Sequence, residues 1–361
     1  MPLLNSLDAS SAGLSALGVA DLAGLTQLAH LNLSYNTLTQ LETGTFDRMT
    51  GLTTLDLAAN AIITLPSNVF AALTNLVTLN LADNYVTELQ AGLFVNTINL
   101  TSLDLTNNHL GTMSADALGP LTSLVELVLD QNNLGHLERD VFEGLVNLEV
   151  LILDDNDLTG INATNFINLT SLMVLSFSVN DIAYVEAGAF DTLPNLEQLA
   201  MEDNLLTVLP KDLFHYNPQL QYLSLFDSYI AELDEGIFHG LTLLNTIILA
   251  GNNLDGLPED IFQPCTMLEV AALSYNSIDE LEPGLFSGLS SILYVDVESN
   301  DIATIDAGLL SDLSYLVTLR LGEMQLASLP NDVFAHLSAL QSLDLGNNRL
   351  HSVGLRMSMA K

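Results

Sequence analysis

The sequence predicts a single α/β solenoid: one parallel β-sheet of short strands on a concave side, irregular or short-helical segments on a convex side, and no second domain. A period comes first. Leu28, Leu31, Leu33, Asn36, Leu38, Leu41, Phe46 and Met49 return at Leu52, Leu55, Leu57, Asn60, Ile62, Leu65, Phe70 and Leu73, a spacing of 24 residues. Within each unit the leucines at the fourth and sixth places alternate as a short strand does, with every second side chain on one face. Hydrophobic residues make up 49% of the chain, too many for a disordered acidic tail and enough for a large core.

The period runs without insertion or deletion through fourteen repeats beginning at Leu28, Leu52, Leu76 and so on to Leu340. A degenerate unit built on Leu4, Leu7, Ala9, Ala12 and Leu14 precedes them. The chain is therefore divided into residues 1–27, a degenerate first repeat acting as a weak cap, and residues 28–361, the fourteen repeats, of which the last is incomplete and out of pattern.

In the ninth place stands asparagine, from Asn36 to Asn348, replaced only by Ser228 and Met324. Its amide both donates and accepts, so it can satisfy buried backbone groups where the chain leaves the strand. Ser228 is expected to supply part of that role and Met324 none of it. A phenylalanine column from Phe46 to Phe334, interrupted by Leu118 and Leu310, is expected to fill the space under the convex side. On the turn side, Leu-Pro followed by Asn or Asp (Pro66/Asn68, Pro210/Asp212) interleaves with Gly (Gly44, Gly92, Gly188, Gly236), as if pairs of repeats had been duplicated. Toward the end the frame would place phenylalanine at Ser358, and Arg349, Arg356 and Lys361 mark a change of composition; the array is a fragment of something longer or lacks a cap.

Composition excludes several functions. Lys and Arg number 7 against 44 Asp and Glu, a formal charge of −37, which leaves no basic surface for phosphates or anionic lipid. With Cys265 as the sole cysteine there is neither an intrachain disulfide nor a cysteine zinc site. No apolar run approaches the length of a membrane span, and the first residues lack the basic and apolar regions of a secretory signal. The charge excess suits salty surroundings, where screening relieves self-repulsion, and a marine or halophilic source follows as a hypothesis.

The motif L-x-x-L-x-L-x-x-N-x-L-x-x-L-x-x-x-x-F-x-x-L-x-x resembles the leucine-rich repeat in its 24-residue "typical" subtype, over nearly the whole chain. The resemblance implies a horseshoe whose fourteen strands, at about 4.8 Å each, span roughly 65 Å of concave sheet. It also implies a non-enzymatic protein- or peptide-recognition module, extracellular or on a cell surface, with a cytoplasmic place in a halophile as the alternative. The competing role is a structural or adhesive spacer segment of a larger surface protein. Extracellular members usually carry cysteine-rich caps, and none is possible here.

Binding surfaces of such arrays are made by the variable strand positions. Small and polar residues come early there (Thr54, Asp56, Ala58), then acids, then the aromatics Tyr222, Phe226, Tyr275 and Tyr294. The expected partner site is these four with Glu202, Asp203, Asp227 and Asp296, flanked by Glu269 and Glu298. Aromatics anchor interfaces and acids steer a cationic partner; cross-strand stacking is the plainer role of the rings. Asp130/Asp154 and Asp203/Asp227 fall in common columns about 5 Å apart, compatible with a solvated face, a basic partner or calcium. The run Asp154 to Asp157 lacks the bidentate Glu of a calcium loop.

No histidine stands in a ligand spacing, Cys265 replaces a core leucine, and no nucleophile has triad partners, so neither catalytic residues, metal nor cofactor is assigned. Sequons at Asn32, Asn99, Asn162 and Asn168 matter only for a secreted eukaryotic chain.

Overall fold

The computed structural model describes residues 3–352; Arg356, Ser358 and Lys361 lie outside the described residues. The chain divides into two compact units, Met1–Asp181 and Ile182–Lys361.

In the first unit the strands are β1 (Ser6–Asp8), β2 (His30–Asn32), β3 (Thr54–Asp56), β4 (Thr78–Asn80), β5 (Ser102–Asp104), β6 (Glu126–Val128), β7 (Val150–Ile152), a two-residue β8 (Gly160–Ile161) and β9 (Val174–Ser176). Two single-turn helices, α1 (Val19–Leu22) and α2 (Ala115–Leu118), lie among the connections. Strands β1 to β7 and then β9 pair in parallel, each shifted by one repeat, so that Leu31 faces Leu55 and Leu55 faces Leu79. The second unit contains a two-residue β10 (Tyr184–Val185) and then β11 (Gln198–Ala200), β12 (Tyr222–Ser224), β13 (Thr246–Ile248), β14 (Val270–Ala272), β15 (Tyr294–Asp296), β16 (Thr318–Arg320) and β17 (Ser342–Asp344). From β11 onward the pairing follows the same parallel register. The predicted class holds: a parallel-sheet solenoid of about 14 turns, with few helices.

Each long strand has three residues, the third to fifth of the repeat, because the chain turns immediately afterwards. The eighth residue is left-handed in every one of the fourteen repeats, from Tyr35 to Asn347, with φ between 50 and 71°. That conformation aims its N–H at the next repeat: Tyr35 donates to the Ala58 carbonyl at 2.9 Å and Asp203 to that of Phe226 at 2.8 Å. For an L-residue it costs on the order of 1–2 kcal/mol, less for Asn and Asp. Sequence gave no hint of this at Tyr35, Ala59, Gln131 or Val179.

The core follows the leucine pattern. Leu151 and Leu223 are fully buried, as are Phe70 and Phe214. The rings stack along each unit, Phe70 on Phe94 at 6.1 Å and Phe238 on Phe262 at 6.0 Å between centroids. Cys265 is buried as a small hydrophobe, its thiol pushed up to about 12 by burial.

The asparagine column works as its chemistry requires. Asn84 Nδ2 donates to the carbonyls of Leu57, Leu81 and Ala82, and its Oδ1 accepts from Ile62 N–H at 3.0 Å. Ser228 corrects the sequence expectation. Its Oγ is buried and meets no partner, being too short to reach what an asparagine amide reaches. The amides of Leu206 and Ile302, opposite Ser228 and Met324, meet no acceptor among the described residues.

Candidate functional site

All eight residues expected at the partner site lie in the second unit, but the structure sorts them into two groups. Glu202, Asp203, Tyr222, Phe226 and Asp227 come from two adjacent repeats. Only Tyr222 among them is on a strand; Phe226 and Asp227 occupy the turn just after β12. Tyr275 likewise stands at the left-handed eighth place and not on the strand face, because the strand stops after three residues. Phe226 and Tyr275 are 37% and 59% exposed, high for aromatic rings beside a packed sheet.

Between them lies Ala250–Gly251. Gly251 has φ 71°, and a Cβ there would approach Asp227 N and Cα at 3.1 Å. Gly251 thus packs against the Asp227 backbone, and Ala250 and Gly251 place no large side chain between Phe226 and Tyr275, which stand two repeats, about 10 Å, apart. Tyr222 donates its hydroxyl to Glu202 at 3.2 Å. Asp203 is held above the usual carboxylate range, first by burial and then by the charge of Asp227 beside it. Both aspartates are also among the few residue types that tolerate the left-handed turn, so backbone conformation accounts for part of their placement.

The second group is different in kind. Asp296 and Glu298 are 5% and 8% exposed, and Arg320 from the next strand pairs with both, reaching Asp296 at 3.3 Å. Tyr294 donates to Asp296 at 3.1 Å. One cation thus faces both acids, so Asp296 and Glu298 are partly compensated within the chain, unlike Asp203 beside Asp227. Burial raises the Glu298 pKa, the Arg320 charge opposes that rise, and Asp296, Asp344 and Glu323 add to it.

The other acidic column is also engaged. Asp130 accepts from Thr106 Oγ1 at 2.7 Å, and Asp154 accepts from Ser176 Oγ and from Ser178 N–H. Among the described residues no group of three or more His, Cys, Asp or Glu is placed to hold a metal ion. Among the same residues no helix is long and apolar enough to cross a membrane. Two recesses on the turn side of the second unit share Lys211 and Asp212, and neither contains a predicted site residue.

A further pattern was legible in the sequence and not recognised there. At the fifth place Asp8, Asn32, Asp56, Asn80 and Asp104 each accept, through Oδ1, the N–H two residues on, at 2.9 Å. Asp296 and Asp344 do the same for Glu298 and Gly346. In between, Val128, Ile152, Ser176, Ala200, Ser224, Ile248 and Ala272 hold the column, and in the last three of these repeats the N–H groups of Phe226, Ala250 and Ser274 meet no acceptor among the described residues. The signal was a recurring Asp or Asn that lapses from Val128 to Ala272, a stretch that includes the site.

The leucine rich repeat family model matches overlapping stretches from residues 2–62 through 146–206, then 194–254, 242–302 and 294–350. No curated protein matches significantly. Among solved structures, a leucine-rich repeat protein of Leptospira interrogans superimposes with a TM-score of 0.84 at 27% identity, covering 97% of this chain and 86% of that one. A chain of the Toll–Spatzle complex of Drosophila gives 0.81 at 24% identity; the match covers 93% of this chain and 45% of the other. A plant peptide hormone receptor, RGFR1 in complex with RGF2, gives 0.62 at 19%, covering 97% and 64%.

Proposed function

This chain belongs to the leucine-rich repeat family, and from that premise we propose that it is a non-enzymatic recognition module that binds a protein or peptide through the open face of its second unit. The family's fold commonly serves protein recognition, and the structural neighbours include a receptor bound to a peptide hormone and a chain of the Toll–Spatzle complex. The observation that carries the proposal here is the pair of exposed rings, Phe226 and Tyr275, with only the small residues Ala250 and Gly251 in the repeat between them, beside two mutually repelling aspartates. Rings of this kind supply contact area at low entropic cost, and uncompensated acids favour a partner with basic side chains. A place outside the cell or on its surface accords with this role.

The test is a binding assay with a partner captured from the native medium. Phe226→Ala should weaken binding by about 2 kcal/mol if the ring is an anchor. Asp203→Asn with Asp227→Asn should mainly slow association, and less so at high salt. His239→Ala, on the turn side, is the control; loss of binding in the control alone would place the site on the other face.

A further inference from the structure

The interruption in the fifth-place column leaves main-chain donors bare where the anchoring rings stand. An Asp or Asn at that place consumes the amide two residues on from Asp8 to Asp104 and again at Asp296 and Asp344; from Val128 to Ala272 seven successive repeats omit it, and in the last three of them, residues 220–274, the rings stand beside the bare amides. The neighbouring amides of the turn point along the solenoid, Asp227 N–H to Ala250 O at 3.0 Å and Gly251 N–H to Ser274 O at 2.9 Å. Those of Phe226, Ala250 and Ser274 point to the face that the missing side chains would have occupied, in a row at about 4.8 Å spacing. A second polar group lies idle on the same face. Ser224 Oγ is fully buried near the Tyr222 hydroxyl and completes no hydrogen bond.

Unused donors call for an oxygen acceptor, and the surrounding charge says which kind. Asp203, Asp227 and Glu202 repel a phosphate or carboxylate, so the acceptor is neutral. The same acids favour a cation alongside it. A neutral carbonyl and a cation on one flexible chain describe a basic peptide.

We infer that residues 220–275 bind a peptide segment whose backbone carbonyls accept hydrogen bonds from the N–H groups of Phe226, Ala250 and Ser274 while a Lys or Arg side chain lies at Asp203 and Asp227. The inference rests on the reading of the second unit as the recognition face and adds the mode by which the partner is held. Backbone contacts give affinity, the acids select a basic side chain, and Phe226 and Tyr275 bound the segment laterally.

The test returns the missing caps. The triple variant Ser224→Asn, Ile248→Asn, Ala272→Asn gives each bare amide an internal acceptor, as Asn32 and Asn80 do in the first unit. Linear heptapeptides are selected from a random library on the full chain, and the enriched peptides, with hexalysine for comparison, are titrated at physiological salt. Enriched peptides should carry Lys or Arg and bind the triple variant at least about tenfold more weakly, with its melting temperature unchanged or raised. Ser224→Asn alone, and peptide-induced shifts of the Phe226, Ala250 and Ser274 amide protons in the unaltered chain, report the same contact if the triple variant folds poorly.

Equal affinity for the recapped and unaltered chains, or amide protons that do not move, overturns the proposal. If Phe226→Ala still weakens binding in that case, the recognition face stands and only the mode is wrong. If Phe226→Ala and the aspartate variants also leave binding intact, or if nothing is enriched, the face itself is wrong.

Discussion

From Asp8 through Asn32, Asp56 and Asn80 to Asp104 the fifth place of the repeat closes an amide two residues on; from Val128 through Ile152, Ser176 and Ala200 to Ser224, Ile248 and Ala272 it holds no Asp or Asn, and Asp296 takes the role up again in the second unit. The leucines behind both stretches are equally buried and the strands equally short. Scaffold and surface therefore vary independently along this chain. The early strand face satisfies its own polar groups, as Thr106 does by donating its N–H to Asp104 and its hydroxyl to Asp130, and has little left for a ligand. The later face leaves the amides of Phe226, Ala250 and Ser274 without an acceptor among the described residues and sets Asp203 against Asp227 beside exposed rings, which costs stability.

The largest effects should show no difference between the units. Leu151→Ala and Leu223→Ala remove fully buried side chains from equivalent places, and each should cost about 2–5 kcal/mol through lost burial and a cavity. Chemical denaturation of both variants measures this, and tolerance of either one would break the equivalence of the two cores.

Next comes Arg320→Gln, which strands Asp296 and Glu298 without their cation and should cost about 3 kcal/mol at neutral pH. Glu298 is already raised by burial, and removing Arg320 raises it further. For an acid whose folded pKa lies above its unfolded value, ionisation opposes folding. The loss should therefore be full at pH 7 and shrink as pH falls through the raised value. Melting curves across that range check the sign; a loss independent of pH would mean that packing and not charge is what Arg320 contributes.

Asp104→Ala probes the capped face directly. It frees the Thr106 amide, while the hydroxyl keeps Asp130, and should cost about 1 kcal/mol. A neutral result would show that the caps of the first unit contribute nothing, and would weaken the contrast on which the bare amides of the second rest.

The smallest effect is expected at Asp203→Asn. Asp203 is raised by partial burial and by Asp227, so its charge opposes folding above the raised pKa and ceases to do so once pH falls below it. Asparagine keeps the left-handed turn and removes the charge. A slightly higher melting temperature at pH 7 should fade toward acidic pH and in high salt; a gain that persists in both would show that repulsion is not its source.

Much of the array was legible because its signals are periodic. Leu, Asn and Phe recur at fixed places since each repeat must bury the same stripe and close the same turn, and the structure places them accordingly. The candidate site was legible only in part. Tyr222, Phe226, Asp203 and Asp227 stand in two adjacent repeats, whereas Asp296 stands three repeats beyond Tyr222 and pairs with Arg320, which the period places opposite it but whose ion pair only the folded side chains show.

By itself the sequence determined the solenoid, the register of its strands and which residues enter the core, since a 24-residue apolar period admits one way of stacking. Tertiary structure alone decided which polar groups remain unpaired. The left-handed eighth place accepts Tyr, Ala, Gln and Val alike, because the hydrogen bond to the next repeat outweighs local preference. Whether an acid meets a like charge, as Asp227 meets Asp203, or a cation, as Asp296 meets Arg320, depends on a neighbour 24 residues away: the period sets the two side by side, and only the folded side chains show that they pair.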